Sequence, residues 1–486
     1  MNNFYWIFTS SIFLADLAIR MGLALRVIMR KRAASVTLAW LVVILFLPLV
    51  GAIIYLLFGE NRLGEKRAER VASDLHIFTR WAKHLKQRPA IDWNQLNPEC
   101  RPIHRQANTV IGLPAMGGNK LTLIEKTGDF LRSLVIDIDQ ARSTCFLEFY
   151  IWNEGGLADE VAEALIRAAR RGITCRILLD SIGSKLFLRG ERAAGMRAKG
   201  IEIVEALPAG IIRAFFVRID LRNHRKIVVI DGRIAYTGSQ NLVDPRFFKQ
   251  NENVGRWIDT MVRVEGPVVE AMTATFLSDW TIESHASVHD LIDLADIHPV
   301  EKIGEAPVQL VPSGPGFAEE AIHNLLLTTI YAARRELILT TPYFVPDNAI
   351  LAALKSAADR GVEVTIIVPE KNDSKLVHYA SNALYERLAM AGVRIMLFTE
   401  GLLHAKTITV DNDFSLIGSV NLDMRSFWLN FELTLFVYNK EFTAELRKIQ
   451  QEYLQGTYQL DTERLKQRSF FDRFKENSAL VVGPLL

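Results

Sequence analysis

Cysteine is scarce in this chain. The three present, Cys100, Cys145 and Cys175, are odd in number, widely spaced and without a C-x-x-C pair. They point to neither a disulfide framework nor a zinc site, and fit a reducing compartment. Net charge is scarce too, since 57 Lys and Arg against 55 Asp and Glu leave +2. No global field therefore argues for nucleic acid as a partner. Charge is missing altogether from Val36 to Phe58, and from Phe4 to Met29 only Asp16, Arg20 and Arg26 carry it.

A bilayer core of ~30 Å needs about 20 helical residues, so both apolar runs are expected to be transmembrane helices within an anchor of residues 1–60. Asp16 and Arg20 stand four apart on one helix face, where they can pair or snorkel. A cleaved signal peptide fits poorly, because the first run lacks a basic start and a clear small-residue cleavage site. Two buried helices of a soluble core fit no better, because a charge-free run as long as Val36 to Phe58 is unusual in globular proteins. Two spans put both termini on one side. Arg26 at the end of the first run, with Arg30, Lys31 and Arg32 in the connection, balances Arg62, Lys66, Arg67 and Arg70 after the second, so basic residues do not set the orientation. Residues 61–119 are charged and mixed, and read as a partly helical linker without a motif.

What the chain does have is a polar stretch written twice. His224 to Asn241 reads H-R-K-I-V-V-I-D-G-R-I-A-Y-T-G-S-Q-N, and His404 to Asn421 reads H-A-K-T-I-T-V-D-N-D-F-S-L-I-G-S-V-N. His224, Lys226, Asp231, Gly238, Ser239 and Asn241 recur as His404, Lys406, Asp411, Gly418, Ser419 and Asn421, at a constant offset of 404 − 224 = 180 residues. The surroundings repeat as well. Cys145 to Ile151 reads as a strand, Leu157 to Arg171 as a helix and Thr174 to Leu179 as a strand. Glu336 to Thr341, Asn348 to Arg360 and Glu363 to Val368 follow the same order, which is the signature of a parallel sheet. The expected fold is α/β: two similar domains, 120–281 and 308–460, with mixed, largely parallel sheets packed with pseudo-twofold symmetry. A polar linker, 282–307, joins them and a tail, 461–486, follows.

The i, i+2 spacing of His and Lys places both side chains on one face of a strand. Gly-Ser lets the backbone turn closely, and Asn offers donor and acceptor to the same pocket. One copy supplies an imidazole, an ammonium and an amide, which suffices to bind an anion. Two copies face to face supply two imidazoles and two ammoniums around one tetrahedral anion, the minimal set for phosphoryl transfer without metal. Asp231 and Asp411 end a strand at a turn, and their role stays open between chemistry and capping. A nucleophilic imidazole needs its other nitrogen held. Glu432, opening the apolar strand Phe431 to Val437, is a candidate for one half; Asp259, before Met261 to Val264, is a candidate for the other, with Glu252 its rival.

The paired motif H-x-K-x-x-x-x-D-x-x-x-x-x-x-G-S-x-N resembles that of the phospholipase D superfamily. With two N-terminal spans and G-S-V-N-L-D-M-R-S from Gly418 to Ser426, the chain is similar to the bacterial cardiolipin synthases of that superfamily. The resemblance implies two phospholipase D-like domains and metal-independent transphosphatidylation in the bacterial inner membrane, with no cofactor. Two phosphatidylglycerols would give cardiolipin and glycerol through a phosphohistidine, His224 attacking and His404 protonating the departing oxygen. The catalytic set is then His224, Lys226, Asp231, His404, Lys406 and Asp411; Ser239, Asn241, Ser419 and Asn421 bind phosphate; Asp259 and Glu432 orient the histidines; no metal is bound. The partners implied are phosphatidylglycerol, cardiolipin and the membrane. A phospholipase D-type hydrolase or another phosphatidyl transferase, and a membrane lipid-binding scaffold, are the rival readings. Three stretches are candidates for lipid access: Ile211 to Val217, with Phe215 and Phe216 between Arg213 and Arg218; Gly401-Leu402-Leu403; and Arg464 to Lys475, with Phe470, Phe471 and Phe474.

Overall fold

The structure, a computed structural model, describes residues 2–30, 34–60, 91–208, 218, 220–252, 254–284, 286, 298–318, 320–461, 463 and 467–481. The candidate lipid-access stretch Ile211 to Val217 lies outside these residues, as does much of the linker 61–119. The chain forms two compact units, one of Met1–Ala68 with Ala209–Leu221, the other of Glu69–Pro208 with Arg222–Leu486.

In the first unit the apolar runs fold as helices Asn2–Met29, Ala34–Phe46 and Val50–Phe58. The second run, expected as one helix, is therefore two, because Pro48 cannot continue the hydrogen-bond ladder. Among the described residues no helix is long and apolar enough to cross a membrane. Asp16 and Arg20 do pair, at 2.6 Å. They also serve the break. Leu49 N–H donates to Asp16 Oδ1 at 3.1 Å, and Arg20 Nη1 donates to Leu45 O at 3.0 Å. In an unbroken helix Leu49 N–H would meet Leu45 O, so the charged pair takes up the two backbone groups that the interruption separates.

Among the described residues the second unit is built on a sheet of 16 strands. From the first copy come parallel strands Thr144–Phe149, Thr174–Asp180 and Glu202–Ala206. The antiparallel strands Ile227–Ile230, Ile234–Gly238, Met261–Glu265 and Met116–Ile124 extend that side. The second copy repeats the pattern. Its parallel strands are Glu336–Thr340, Glu363–Pro369 and Arg394–Phe398, and its antiparallel ones Thr407–Val410, Phe414–Gly418, Asn430–Val437 and Ala306–Ser313. The parallel strand-helix-strand units are where the sequence put them, but the sheet is mixed rather than largely parallel. Each motif runs straight from one strand through a tight turn into the next, and so short a connection can join only antiparallel neighbours.

The two half-sheets meet first strand to first strand, with Met116 opposite Val308 and Asn119 opposite Ala306. A central core unites them, in which Phe276 and Trp280 of helix Val268–Ser284 join Leu446 and Ile449 of helix Lys440–Gln455. Helix Cys100–Ile111, read from sequence as linker, buries Cys100, Ile103 and Ala107 in the core of the second half.

Candidate active site

Each motif histidine follows a two-residue strand of its own half that pairs with a strand of the other. Arg222–Asn223 runs parallel to the start of Asn430–Val437, with Asn223 opposite Phe431. Leu402–Leu403 runs parallel to Trp257–Ile258, with Leu403 opposite Ile258. One residue further along each pair, His224 meets Glu432 and His404 meets Asp259. Backbone bonds fix this register: His224 N–H donates to Phe431 O at 2.9 Å, and His404 N–H to Ile258 O at 2.7 Å.

The side chains follow. His224 Nδ1 lies 2.8 Å from Glu432 Oε2, and His404 Nδ1 lies 2.7 Å from Asp259 Oδ1. The two acids foreseen in sequence thus hold the histidines crosswise, each half orienting the imidazole of the other. Glu252, the rival of Asp259, is exposed. The motif serines fix the acids in turn: Ser239 Oγ donates to Asp259 at 2.7 Å and Ser419 Oγ to Glu432 at 2.5 Å. Both serines, expected on phosphate, are therefore engaged behind the histidines. Ser426 Oγ at 2.9 Å and Asn430 Nδ2 at 3.3 Å also donate to Glu432.

Lys226 and Lys406 each bend back to donate to the carbonyl of their own motif histidine, at 2.7 and 2.5 Å. Asn241 accepts from Ile151 N–H at 3.2 Å, and Asn421 Oδ1 is buried without a partner among the described residues. Asp231 and Asp411 are not brought to the site. They sit beyond the far ends of strands Ile227–Ile230 and Thr407–Val410, about 13 Å along each strand. Asp231 accepts the backbone N–H groups of Arg142, Ser143 and Thr144, and Asp411 those of Arg334, Arg335 and Glu336. Of the two roles left open, this geometry is that of a cap holding the start of the neighbouring strand.

Burial sets the electrostatics. It pushes both histidines down to about 4, against the pull of their carboxylates. Burial also lowers Lys226 to about 8 and Lys406 to about 7. For Asp259 burial works upward, but the His404 ring and Lys406 outweigh it and hold the carboxyl at about 2. Glu432 is likewise held below its ordinary value by His224 and Lys226, against burial. Each imidazole is thus neutral and donates its Nδ1 proton to an ionised carboxylate, which leaves the Nε2 lone pair free. Each lysine also acts electrostatically on the other half's histidine, Lys406 on His224 and Lys226 on His404. The four cationic or potentially cationic groups form one site.

Sequence reasoning missed the aromatic wall. Tyr150 meets His224 edge-on at 5.2 Å, Tyr343 meets His404 at 6.3 Å, and Trp257 leans on His404 at 4.6 Å. Tyr150 and Tyr343 each follow the first parallel strand of their half, so carrying the duplication beyond the motif would have found them. It also missed Arg225, which fills the position of Ala405 in the second copy. Arg225 is fully buried, donates to Glu432 O at 3.0 Å and to Ser313 O at 3.2 Å, and pairs with Asp279. Gly401-Leu402-Leu403 is corrected as a lipid-access stretch, because Leu402 and Leu403 are wholly buried as the strand beside Trp257–Ile258.

Residues 134–280 and 326–454 match the family described as cardiolipin synthase, PLD-like domain. The chain belongs to that family. Residues 21–60 also match the phospholipase D-nuclease N-terminal family. Cardiolipin synthase A of Yersinia pseudotuberculosis serotype O:1b (strain IP 31758) is 48% identical over 465 residues, 96% of each chain. That of Yersinia pestis matches to the same extent. Among solved structures, phosphatidylserine synthase of Haemophilus influenzae Rd KW20 is 13% identical with a TM-score of 0.61, covering 80% of this chain and 100% of that one. At that identity the likeness concerns the fold alone.

Proposed function

We propose that the chain is a membrane-anchored cardiolipin synthase, a phosphatidyltransferase that makes cardiolipin and glycerol from two phosphatidylglycerols. The observation that carries this is the crosswise pair, His224 with Glu432 and His404 with Asp259, in a chain 48% identical to cardiolipin synthase A over 96% of its length. Residues 120–281 and 308–460 are the two phospholipase D-like copies in this reading.

Nε2 of His224 attacks phosphorus; the bond to the glycerol oxygen breaks, and His404 gives that oxygen its proton. A hydroxyl of a second phosphatidylglycerol then yields a proton to His404, its oxygen bonds to phosphorus, and the phosphorus–nitrogen bond breaks. Both imidazoles are neutral in the resting site, so His404 takes its proton from solvent when the anionic phosphodiester binds, because that charge raises the affinity of every nearby basic group for protons. Lys226, Lys406, Asn241 and Asn421 take the nonbridging oxygens in this scheme.

The anchor is residues 1–60, in the bacterial inner membrane and passing through it more than once. Support comes from the apolar side chains that its helices leave exposed, among them Trp6, Phe8, Phe13, Leu25, Leu38 and Phe46, an arrangement costly in water. Cardiolipin plus free glycerol from purified, detergent-solubilised protein, phosphatidylglycerol and a chelator is the expected result. Phosphatidic acid without cardiolipin would make it a hydrolase, and lipid binding without any product a scaffold.

A further inference from the structure

Helix Phe470–Val481 belongs to the catalytic unit and packs on it by one side only. Glu476 and Ala479 are buried; Ala479 joins Val345, Val377 and Ala380, and Arg468 ties the helix down through Glu386 and Glu476. At roughly 100° per residue, Phe470, Phe474 and Val481 fall within an arc of about 40° on the side opposite that contact. They are 76%, 62% and 80% exposed, and Phe471 beside them is 73% exposed. Phe470 lies against both Phe471 and Phe474, so the rings form one continuous patch.

An apolar stripe facing away from the protein is unfavourable in water and calls for an occupant. Charge says which. Arg473 and Lys475 flank the stripe on its two sides, Lys475 within 3.5 Å of Asp472. Beside Arg468, which is engaged with Glu386 and Glu476, the sequence from Arg464 to Lys475 holds four basic residues, Arg464, Lys466, Arg473 and Lys475, against the single acid Asp472. Aromatic rings on one face with cations at its borders suit a helix lying in the headgroup layer of an anionic bilayer. We infer that helix Phe470–Val481 is a lipid-surface contact of the catalytic unit itself, separate from the N-terminal anchor, bringing the site to a membrane rich in its anionic substrate. The choice of an anionic lipid surface as occupant rests on the substrate class proposed above.

The test uses the full chain in vesicles and does not depend on turnover. The native cysteines are all buried, so Phe474→Cys offers one reactive thiol for an environment-sensitive fluorophore. A label at Asp359→Cys, exposed at the end of helix Asn348–Asp359, is the reference. In phosphatidylglycerol-containing vesicles the label at 474 should shift to the blue and lose several-fold in intensity to quenchers on the upper acyl chain, while the label at 359 does neither. A blue-shifted label that lipid quenchers do not reach would mean the stripe docks on protein, and an unshifted label would mean it faces water; either overturns the inference. The triple variant Phe470→Ser, Phe474→Ser, Val481→Ser should lose about tenfold in turnover of vesicle substrate and little with a monomeric short-chain phosphatidylglycerol. Equal loss on both substrates would mean that the stripe supports the site itself rather than its contact with lipid, and would overturn the inference; a parent chain that turns over neither substrate while the 474 label is still quenched would count against the enzyme reading and leave the contact standing.

Discussion

His224 Nδ1 lies 2.8 Å from Glu432 Oε2, although the two residues are 208 positions apart and belong to different copies of the repeat. His404 and Asp259 repeat the relationship in the opposite sense. Neither copy, taken alone, holds an oriented histidine, which makes the pair of copies the functional unit.

The exchange can be tested by removing charge without removing shape. Glu432→Gln and Asp259→Asn keep the hydrogen-bonding reach but favour the wrong imidazole tautomer, so each should lower kcat by about 10²- to 10⁴-fold. Steady-state turnover in mixed micelles reads this, with unfolding midpoints measured alongside. A kcat within twofold of the parent for either variant would show that the carboxylates do not set the tautomer.

Much of the site was legible because duplication marks it. The repeated His, Lys, Ser and Asn positions, the strands near residues 145 and 336, and even the two acids stand in the sequence. Their crosswise pairing does not, because local periodicity says nothing about which of two equivalent strands lies beside a given one. The serines were misread for a related reason. A hydroxyl two residues from an asparagine looks like an anion ligand until the acid it holds, 20 positions from Ser239 and 13 from Ser419, is placed against it. The break at Pro48 was in plain view, but an uncharged run of apolar residues outweighed it.

The lowered lysines give a pH-dependent signature. With folded values of about 8 and 7 against an ordinary ~10.4, Lys226 and Lys406 shed protons that the unfolded chain keeps. Their contribution to stability therefore rises with pH between about 7 and 10.4, and is lost as pH falls through the folded values. An anion between them restores the charged forms. Sulfate binding at pH 8 should take up about one proton, measured by calorimetry in buffers of different ionisation enthalpy. Lys226→Met with Lys406→Met should cut the uptake to the share that His404 takes on its own. Sulfate bound by the parent without uptake would mean that both lysines are charged in the empty site.

Asp231 and Asp411 should behave as structural residues. Each carboxylate accepts three successive backbone N–H groups at the head of a strand and itself has φ of 52°. Asp231→Ala and Asp411→Ala should each cost about 1–3 kcal/mol, because charge-assisted bonds to part-buried backbone donors are lost and alanine is strained at this φ. Turnover per folded molecule should stay within about threefold at a temperature where the variants remain folded. A thousandfold loss of kcat at an unchanged unfolding midpoint would return these residues to the chemistry.

The charges inside the first apolar run make a last case. Asp16 takes the Leu49 N–H and Arg20 takes the Leu45 O that Pro48 keeps apart. In an apolar environment neither backbone group can turn to water, so losing its partner costs roughly 1–2 kcal/mol. Asp16→Leu with Arg20→Leu should accordingly lower the thermal midpoint of the detergent-solubilised chain. Adding Pro48→Leu should recover it, because the helix can then close the bond between Leu49 and Leu45 and no longer needs the pair. If the double variant were as stable as the parent, the pair would not be supporting the break. If the triple variant stayed as unstable as the double, the Asp16–Arg20 attraction within the first helix, and not the backbone groups the pair serves, would be the contribution that was lost.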